Sequence, residues 1–201
     1  HNDESHNHND VGQVVVYADG QTLLIDAGVG EYTSKTFSSD RYTIWTMQSG
    51  YHNLPQINGC DQKNGKQYRA ALIRQSATSL TLELAAAYPE EAAVDSWQRT
   101  VSLRRHEVSI TERYRLREYK APTRLMFMTT TKPDDSRPGT VALGDYTLHY
   151  DPSQLAATVE DISPQLDPLL QGLWGRAMYR IVLTVRSERT EGTVSMTVKK
   201  I

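Results

Sequence analysis

The segment Val14-Val15-Val16-Tyr17-Ala18-Asp19-Gly20-Gln21-Thr22-Leu23-Leu24-Ile25-Asp26 decides the fold class of this chain. Two apolar runs flank Asp19-Gly20, and an Asp-Gly pair between such runs is a strong signal for a β-hairpin. With these two residues as the loop, the register places Gln13 opposite Asp26. Asp26 ends its strand with a carboxylate, which is costly to bury unless another group pairs with it.

Outward from the hairpin, short segments with strand-like alternation recur along the chain. They predict strands at 41–47, 68–75, 79–87, 96–104, 107–117, 123–131, 146–150, 156–162, 179–186 and 192–199. In 107–117, Val108, Ile110 and Tyr114 indicate a buried face, and Glu112 is assigned with two arginines to the solvated face. The only helical prediction is residues 167–174. Many short strands without a long helix predict an all-β fold, a large antiparallel β-sandwich of two sheets.

Length, net charge and cysteine content narrow the classes of protein to which the chain can belong. The chain has 201 residues, which fits a single domain over residues 1–201, and its formal net charge is -2. Without a basic excess we expect no nucleic-acid partner, and without an apolar run of about 20 residues we expect no membrane span. Cys60 is the single cysteine, so an internal disulfide is excluded. Because the sequence starts without Met, we expect a piece of a longer protein.

The candidate chemistry begins at the first residues, His1-Asn2-Asp3-Glu4-Ser5-His6-Asn7-His8-Asn9-Asp10-Val11-Gly12, which hold three of the six histidines. In an extended chain, His6 and His8 would lie on one face, roughly 7 Å apart. Imidazole is a frequent metal ligand and a frequent general base near neutral pH. Two alternatives stay open for this segment, a solvated entry to the first strand and the remnant of an affinity tag.

Two further residues qualify as ligands. Asp26 ends the hairpin, and His52 lies in the loop Gln48–Pro55, where a single histidine is more often a hydrogen-bonded loop residue. Two histidines and a carboxylate suit zinc, with water or a fourth protein ligand completing the tetrahedron. Simple strand alternation puts His6 and His8 on the face opposite Asp26. A kink or bulge near Gly12 is therefore needed to bring His8 to Asp26.

At these residues the chain resembles a known family. The resemblance is carried by three pieces, namely Ser5–Gly12, Tyr17–Gly28, and Ser49–Pro55 together with Ile57–Gly59 and Gln62. Weaker matches lie at Trp97–Arg99 and Tyr179–Leu183. In this order and spacing they resemble the β-sandwich domain of the heparinase II/III family of polysaccharide lyases. The resemblance extends over essentially the whole chain.

The resemblance implies a two-part enzyme in which an N-terminal α/α toroid packs on the sandwich, and an acidic polysaccharide is cleaved by β-elimination in the cleft between them. It implies that His6 is the catalytic histidine of the sandwich, and that His8, Asp26 and His52 are ligands of a structural zinc ion. The toroid, which carries the catalytic Tyr and the residues that bind the carboxylate, has no match here. We therefore expect little or no lyase activity from this chain alone, and a secreted or periplasmic bacterial enzyme as its parent.

Other readings remain open. The chain could be a non-catalytic carbohydrate-binding sandwich in which Trp45, Tyr51 and Trp174 stack on sugar rings, although such aromatics more often belong to a core. A metal-dependent hydrolase is a weaker alternative, because the metal would need an open position and a general base. His6 distinguishes a lyase from a binding module, because a lyase needs a histidine beside the metal site and a binding module does not. The resemblance implies a uronan substrate of the glycosaminoglycan or alginate type, and the slightly acidic sequence favours an unsulfated one.

Overall fold

The computed structural model describes residues 1–4 and 6–201 and has two antiparallel sheets that form a sandwich, as predicted. The larger sheet has seven strands in the order β4-β5-β6-β7-β13-β10-β9, and the smaller has the order β11-β12-β8-β3. A separate hairpin consists of β1 and β2. The strands are β1 Val16–Ala18, β2 Gln21–Leu24, β3 Pro55–Gln56, β4 Ala71–Gln75, β5 Ser79–Glu83, β6 Val94–Arg104, β7 Glu107–Leu116, β8 Arg124–Thr129, β9 Thr140–Leu143, β10 Tyr146–Tyr150, β11 Leu155–Asp161, β12 Tyr179–Val185 and β13 Glu191–Lys200.

The two sheets face each other across one large apolar core. Alternate residues of each strand point into it, because successive side chains of a strand lie on opposite faces. Side chains from both sheets, among them Trp97, Ile110, Phe127, Leu148 and Leu183, are at most 1% exposed. A smaller cluster, which includes Ile25, Met128 and Leu170, lies beside it. The end of the hairpin thus joins the smaller core.

The hairpin forms as the Asp-Gly signal predicts. Asp19 and Gly20 both have positive φ, 49° and 77°, which is the geometry of a two-residue type I′ turn. Ala18 pairs with Gln21 next to the turn, and an irregularity between Val16 and Tyr17 then shifts the register by one residue. The two hairpin strands are shorter than the predicted segments 14–17 and 22–26. Elsewhere, β3 and β9 have no counterpart among the predicted segments.

The predicted strand at 41–47 is wrong. This stretch consists of 3-10 turns at Ser39–Thr43 and Trp45–Met47, followed by another at Ser49–Tyr51. The aromatic residues Trp45 and Tyr51 lie in successive turns, and their ring centroids are 5.2 Å apart. The two aromatic side chains thus pack together although their turns are separated by the extended residue Gln48.

The assignment of Glu112 to the solvated face is also wrong. Glu112 is fully buried, and it shares the inner face of β7 with Ile110 and Tyr114, as its even position in the alternation requires. Its charge misled the prediction, because buried carboxylates are rare unless they are paired. Here Glu112 is paired with Arg99 on the neighbouring strand.

The predicted helix at 167–174 is confirmed as α1, Pro168–Trp174. Asp167 caps its N-terminus by accepting a hydrogen bond from the Leu170 amide at 2.9 Å. Proline at the first helical position fits this start, because its missing N–H has no partner inside the helix. Among the described residues, no helix has the length and apolar character that crossing a membrane requires.

Candidate metal centre

Four side chains from three separate segments meet beside the hairpin. They are His8, Asp10, Asp26 and His52, and one potential ligand atom from each lies within 4.8 Å of all the others. Three of them are the ligands expected from the sequence, and the structure brings these three together. The fourth, Asp10, is an addition that sequence reasoning missed. Its signal was its position two residues after His8 in a polar run.

A turn at Val11 and Gly12 redirects the chain so that His8 and Asp10 reach Asp26. Gly12 has φ +83°, and the Gln13 amide donates to the Asp10 carbonyl at 3.1 Å. A Cβ atom at Gly12 would lie 2.5 Å from Leu84 Cδ2, so both the conformation and the space require glycine. The kink that the sequence called for near Gly12 is therefore present.

His52 is held in the form that can bind a metal. Its Nε2 lies 3.0 Å from the Thr46 carbonyl, which can only accept, so Nε2 carries the proton and donates it. That leaves Nδ1 with a free lone pair, 3.8 Å from Asp26 Oδ1. Burial lowers the pKa of His52 to about 4, which keeps the imidazole neutral. A backbone carbonyl that fixes the tautomer is the usual support of a metal-binding histidine.

His8 supplies the second imidazole. Its side chain is 9% exposed, and its ring centroid lies 5.3 Å from that of His52. Burial lowers the pKa of His8, while the neighbouring Asp26 acts in the opposite direction. Two neutral imidazoles thus face the same small space.

The carboxylates share one donor. Gln13 Nε2 donates to Asp26 Oδ2 at 2.6 Å and to Asp10 Oδ2 at 3.2 Å. Asp26 Oδ1 also accepts from the Gly28 amide at 2.8 Å. Burial first, and then the charge of Asp26, raise the pKa of Asp10 to about 6. Burial also acts to raise the pKa of Asp26, but its neighbours outweigh burial and hold it below the usual range.

This donor set fits a divalent metal ion. Two carboxylates and two neutral imidazoles carry a charge of about −2, and such nitrogen and oxygen ligands suit zinc in a tetrahedral site. One observation favours a cation in particular, since the free lone pair of His52 Nδ1 lies 3.2 Å from Gln13 Oε1, which is also an acceptor. A positive ion among these acceptors would resolve that unfavourable contact.

His6 lies outside the cluster. It is exposed and has φ +62°, so the segment from His6 to His8 is not extended and the two histidines occupy different environments. The ring of His6 lies 6.4 Å from that of Tyr32, measured between centroids, in an edge-on arrangement. Arg41 fixes the intervening backbone, because its Nε and Nη2 both donate to the Asn7 carbonyl at 3.0 Å. A catalytic role for His6 stays a prediction.

The aromatics considered for sugar stacking are all partly buried. Trp45, Tyr51 and Trp174 pack against the smaller core. Trp174 Nε1 donates to the Ala27 carbonyl at 2.9 Å, and the Arg180 guanidinium carbon lies 4.3 Å from the centre of the Tyr51 ring. Packing therefore accounts for these three side chains.

No protein-family model and no curated protein matches the sequence. Among solved structures, the chain is similar to the crystal structure of heparinase III, with a TM-score of 0.68 and 15% sequence identity. The match covers 98% of this chain and 30% of that protein. At this identity the similarity shows the fold, and the chain spans about a third of the length of the protein it matches.

Proposed function

We propose that this chain is the β-sandwich part of a polysaccharide lyase that cleaves a uronic-acid polysaccharide by β-elimination and contains a structural zinc ion. The observation that carries the proposal is the cluster of His8, Asp10, Asp26 and His52. Its first member, His8, follows the exposed His6 by two residues. The similarity of nearly the whole chain to heparinase III supports it. A secreted or periplasmic bacterial location belongs to the same proposal.

In this proposal, His6 exchanges a proton with the sugar. β-Elimination removes the C5 proton of a uronic acid, which is weakly acidic unless donors stabilise the charge that develops on the carboxylate. The group that accepts or returns a proton must be within hydrogen-bond reach of the sugar. His6 suits the second of these roles, since it is exposed and Arg41 holds the carbonyl of the next residue, Asn7.

The zinc ion would be held by His8, Asp10, Asp26 and His52. When bound, it would cross-link the first segment of the chain, the end of the hairpin and the turn at residue 52. Its role is structural, because four protein ligands leave no open position for substrate. The residues of the chain itself then perform the positioning, with Arg41 and the turn at Gly12 fixing the backbone on either side of His8.

The remaining catalytic groups belong, in this proposal, to an N-terminal α/α toroid of the same protein. Heparinase III is about three times as long as the part matched here, which leaves room for such a domain. The toroid would supply a tyrosine and the amide or cationic groups that bind the sugar carboxylate. Acidic polysaccharide would bind between the two parts, so the isolated chain should lack lyase activity.

Metal analysis tests the centre directly. We expect about one zinc ion per purified chain, prepared without chelator, by elemental analysis. His8→Ala, Asp26→Ala and His52→Ala should each lose it, whereas His6→Ala should retain it. His149→Ala is the matched control, because His149 lies on β10 outside the cluster. A folded parent without metal, or metal loss in the control, would contradict the site.

Activity tests the lyase assignment. In the full-length enzyme, His6→Ala should lower turnover on a uronan by orders of magnitude while leaving zinc content unchanged. The reaction is followed by the ultraviolet absorbance of the unsaturated uronate product. Unchanged turnover in that variant would remove His6 from catalysis, and clear product formation by the isolated chain would refute the need for a second domain.

A second candidate function is carbohydrate binding without catalysis. It is favoured by the side chains of Tyr32 and Phe37, which are 53% and 75% exposed and stack with their centroids 5.7 Å apart beside His6. Exposed aromatic faces can stack on sugar rings. If this is the function, the chain should bind alginate in affinity electrophoresis, Phe37→Ala should weaken binding, and His6→Ala should leave full-length turnover unchanged.

A further inference from the structure

We propose that Arg99 is a positioning residue for the metal centre. Its buried ion pair with Glu112 orients the guanidinium group so that one of its nitrogen atoms binds the backbone of two segments that carry metal ligands. The inference rests on the metal centre proposed above. Arg99 lies in the seven-stranded sheet and is not one of the four proposed ligands.

The ion pair is built across two neighbouring strands. Arg99 on β6 pairs in register with Glu112 on β7, and both side chains are at most 1% exposed. Glu112 Oε1 accepts from Arg99 Nε at 2.8 Å and from Nη2 at 2.5 Å, and Oε2 accepts from Trp97 Nε1 at 2.7 Å. Both carboxylate oxygens are therefore occupied, and the guanidinium plane is fixed on one side.

The other side of the guanidinium group reaches the metal centre. Arg99 Nη1 donates to the Gly12 carbonyl at 2.9 Å and to the Asn53 carbonyl at 2.6 Å. Gly12 follows Asp10 by two residues, and Asn53 directly follows His52. One nitrogen atom thus ties together two segments that are about 40 residues apart in the chain and that both carry ligands.

The side chain of Asn53 extends this connection to the third segment. Its Nδ2 donates to the carbonyls of Val14 and Ile25 at 2.7 and 3.0 Å, and its Oδ1 accepts from the Met128 amide at 2.7 Å. Ile25 directly precedes Asp26. Every segment that contributes a ligand is therefore hydrogen-bonded either to Arg99 itself or to Asn53, which Arg99 holds.

The energetics of buried ion pairs favour a positioning role over a stabilising one. Removing two charges from water is costly, and apolar residues of similar volume often stabilise a core equally well. What apolar residues cannot do is bond to two carbonyls in a fixed direction. Lysine could keep the charge, but it lacks the planar array of donors that lets arginine bind Glu112 and both carbonyls at once.

The test separates metal affinity from stability. The variants are Arg99→Lys and the neutral double variant Arg99→Met/Glu112→Gln, in which glutamine can still accept from Trp97. Leu148→Ala is the matched control, since it removes buried side-chain volume from β10 of the same sheet, on a strand without a ligand. For each, we would measure the Zn²⁺ dissociation constant by chelator competition, the visible spectrum with Co²⁺, and the denaturant midpoint without metal.

We expect both Arg99 variants to bind Zn²⁺ about 10–100-fold more weakly, the range found for residues that support metal ligands. Their Co²⁺ spectra should change. The double variant should also have a lower denaturant midpoint than the parent, because the carbonyls of Gly12 and Asn53 lose their donor. Leu148→Ala should also lower the midpoint, but it should leave the Zn²⁺ affinity and the Co²⁺ spectrum unchanged.

Parent-like affinity and spectrum in Arg99→Lys would overturn the inference, even if the double variant fails to fold. Equal weakening in Leu148→Ala would overturn it too, because general loss of stability would then explain the effect. If the parent itself binds no metal, the proposed centre fails and the role of Arg99 fails with it. The parent measurement therefore distinguishes the two failures.

Discussion

Replacing Asp10 by asparagine should change stability in opposite directions with and without metal. In the metal-free protein, Asp10 and Asp26 carry like charges whose ligand atoms lie within 4.8 Å, and one Gln13 amide group serves both. Asparagine keeps a carbonyl oxygen in the same place, so the bond from Gln13 can persist. The repulsion between the carboxylates is lost, and the metal-free protein should become more stable.

The magnitude follows from Coulomb's law. At an effective dielectric constant of about 20, two unit charges at this separation repel by roughly 3–4 kcal/mol. The side chain of Asp26 is 32% exposed, so water screens part of this energy. We therefore expect the free energy of unfolding to rise by about 1–2 kcal/mol in the metal-free Asp10→Asn variant. For a chain of this size, that raises Tm by about 2–8 °C.

With zinc present the sign should reverse. A ligand that binds only the folded state stabilises it according to its concentration relative to its dissociation constant. The loss of one charged ligand should weaken zinc binding by about 100-fold or more, which removes about 2.8 kcal/mol of metal-derived stability. This loss exceeds the gain from relieved repulsion, so the metal-loaded variant should unfold more easily than the metal-loaded parent.

The assay is urea denaturation at pH 8, once with chelator and once with a fixed excess of Zn²⁺, for the parent and for Asp10→Asn. Asp135→Asn is the control, because Asp135 is an exposed residue outside the cluster and its replacement changes net charge equally. A lower metal-free stability of Asp10→Asn would refute the repulsion argument. Equal zinc stabilisation of variant and parent would show that Asp10 is not a ligand.

Further predictions concern glycines and a helix cap. Gly12→Ala should destabilise the fold by more than about 1 kcal/mol, because Gly12 has a positive φ and the added Cβ would meet Leu84. Gly172→Ala should be neutral or stabilising by up to about 1 kcal/mol, because Gly172 lies inside α1 and the added Cβ meets nothing within 4 Å. Thermal unfolding checks both, and a milder effect at Gly12 than at Gly172 would contradict the steric argument. Asp167→Ala should cost about 1 kcal/mol through loss of the helix cap, measured by urea denaturation, and an unchanged midpoint would mean that the cap contributes nothing.

Asp10 shows why the ligand set was incomplete from sequence. The residue chemistry and the family resemblance indicated His8, Asp26 and His52, and the cluster contains all three. Asp10 was overlooked because a carboxylate in a polar run is ordinarily solvated. Only the turn at Gly12, which itself depends on close packing against Leu84, directs Asp10 into the centre.

Arg99 and Glu112 show a second limit. The charge of Glu112 pointed to solvent, whereas the alternation of β7 already placed Glu112 on the inner face with Ile110. Whether a charged residue can occupy such a position depends on a partner, and the partner is supplied by strand register. Register between distant strands is a tertiary property, so the pair could not be assigned from either strand alone.

The sequence by itself determined the β-rich architecture, the Asp-Gly turn of the hairpin, the short helix and most of the strands. These features follow from patterns within a few residues, namely the period of two in strands and the backbone preferences of turn residues. The tertiary structure alone decided that residues 39–51 form 3-10 turns, that Asp10 joins the ligands, and that Arg99 faces the ligand-bearing backbone. The physical reason is that each of these depends on contacts between segments far apart in the chain, where packing and the pairing of buried charges override local preference.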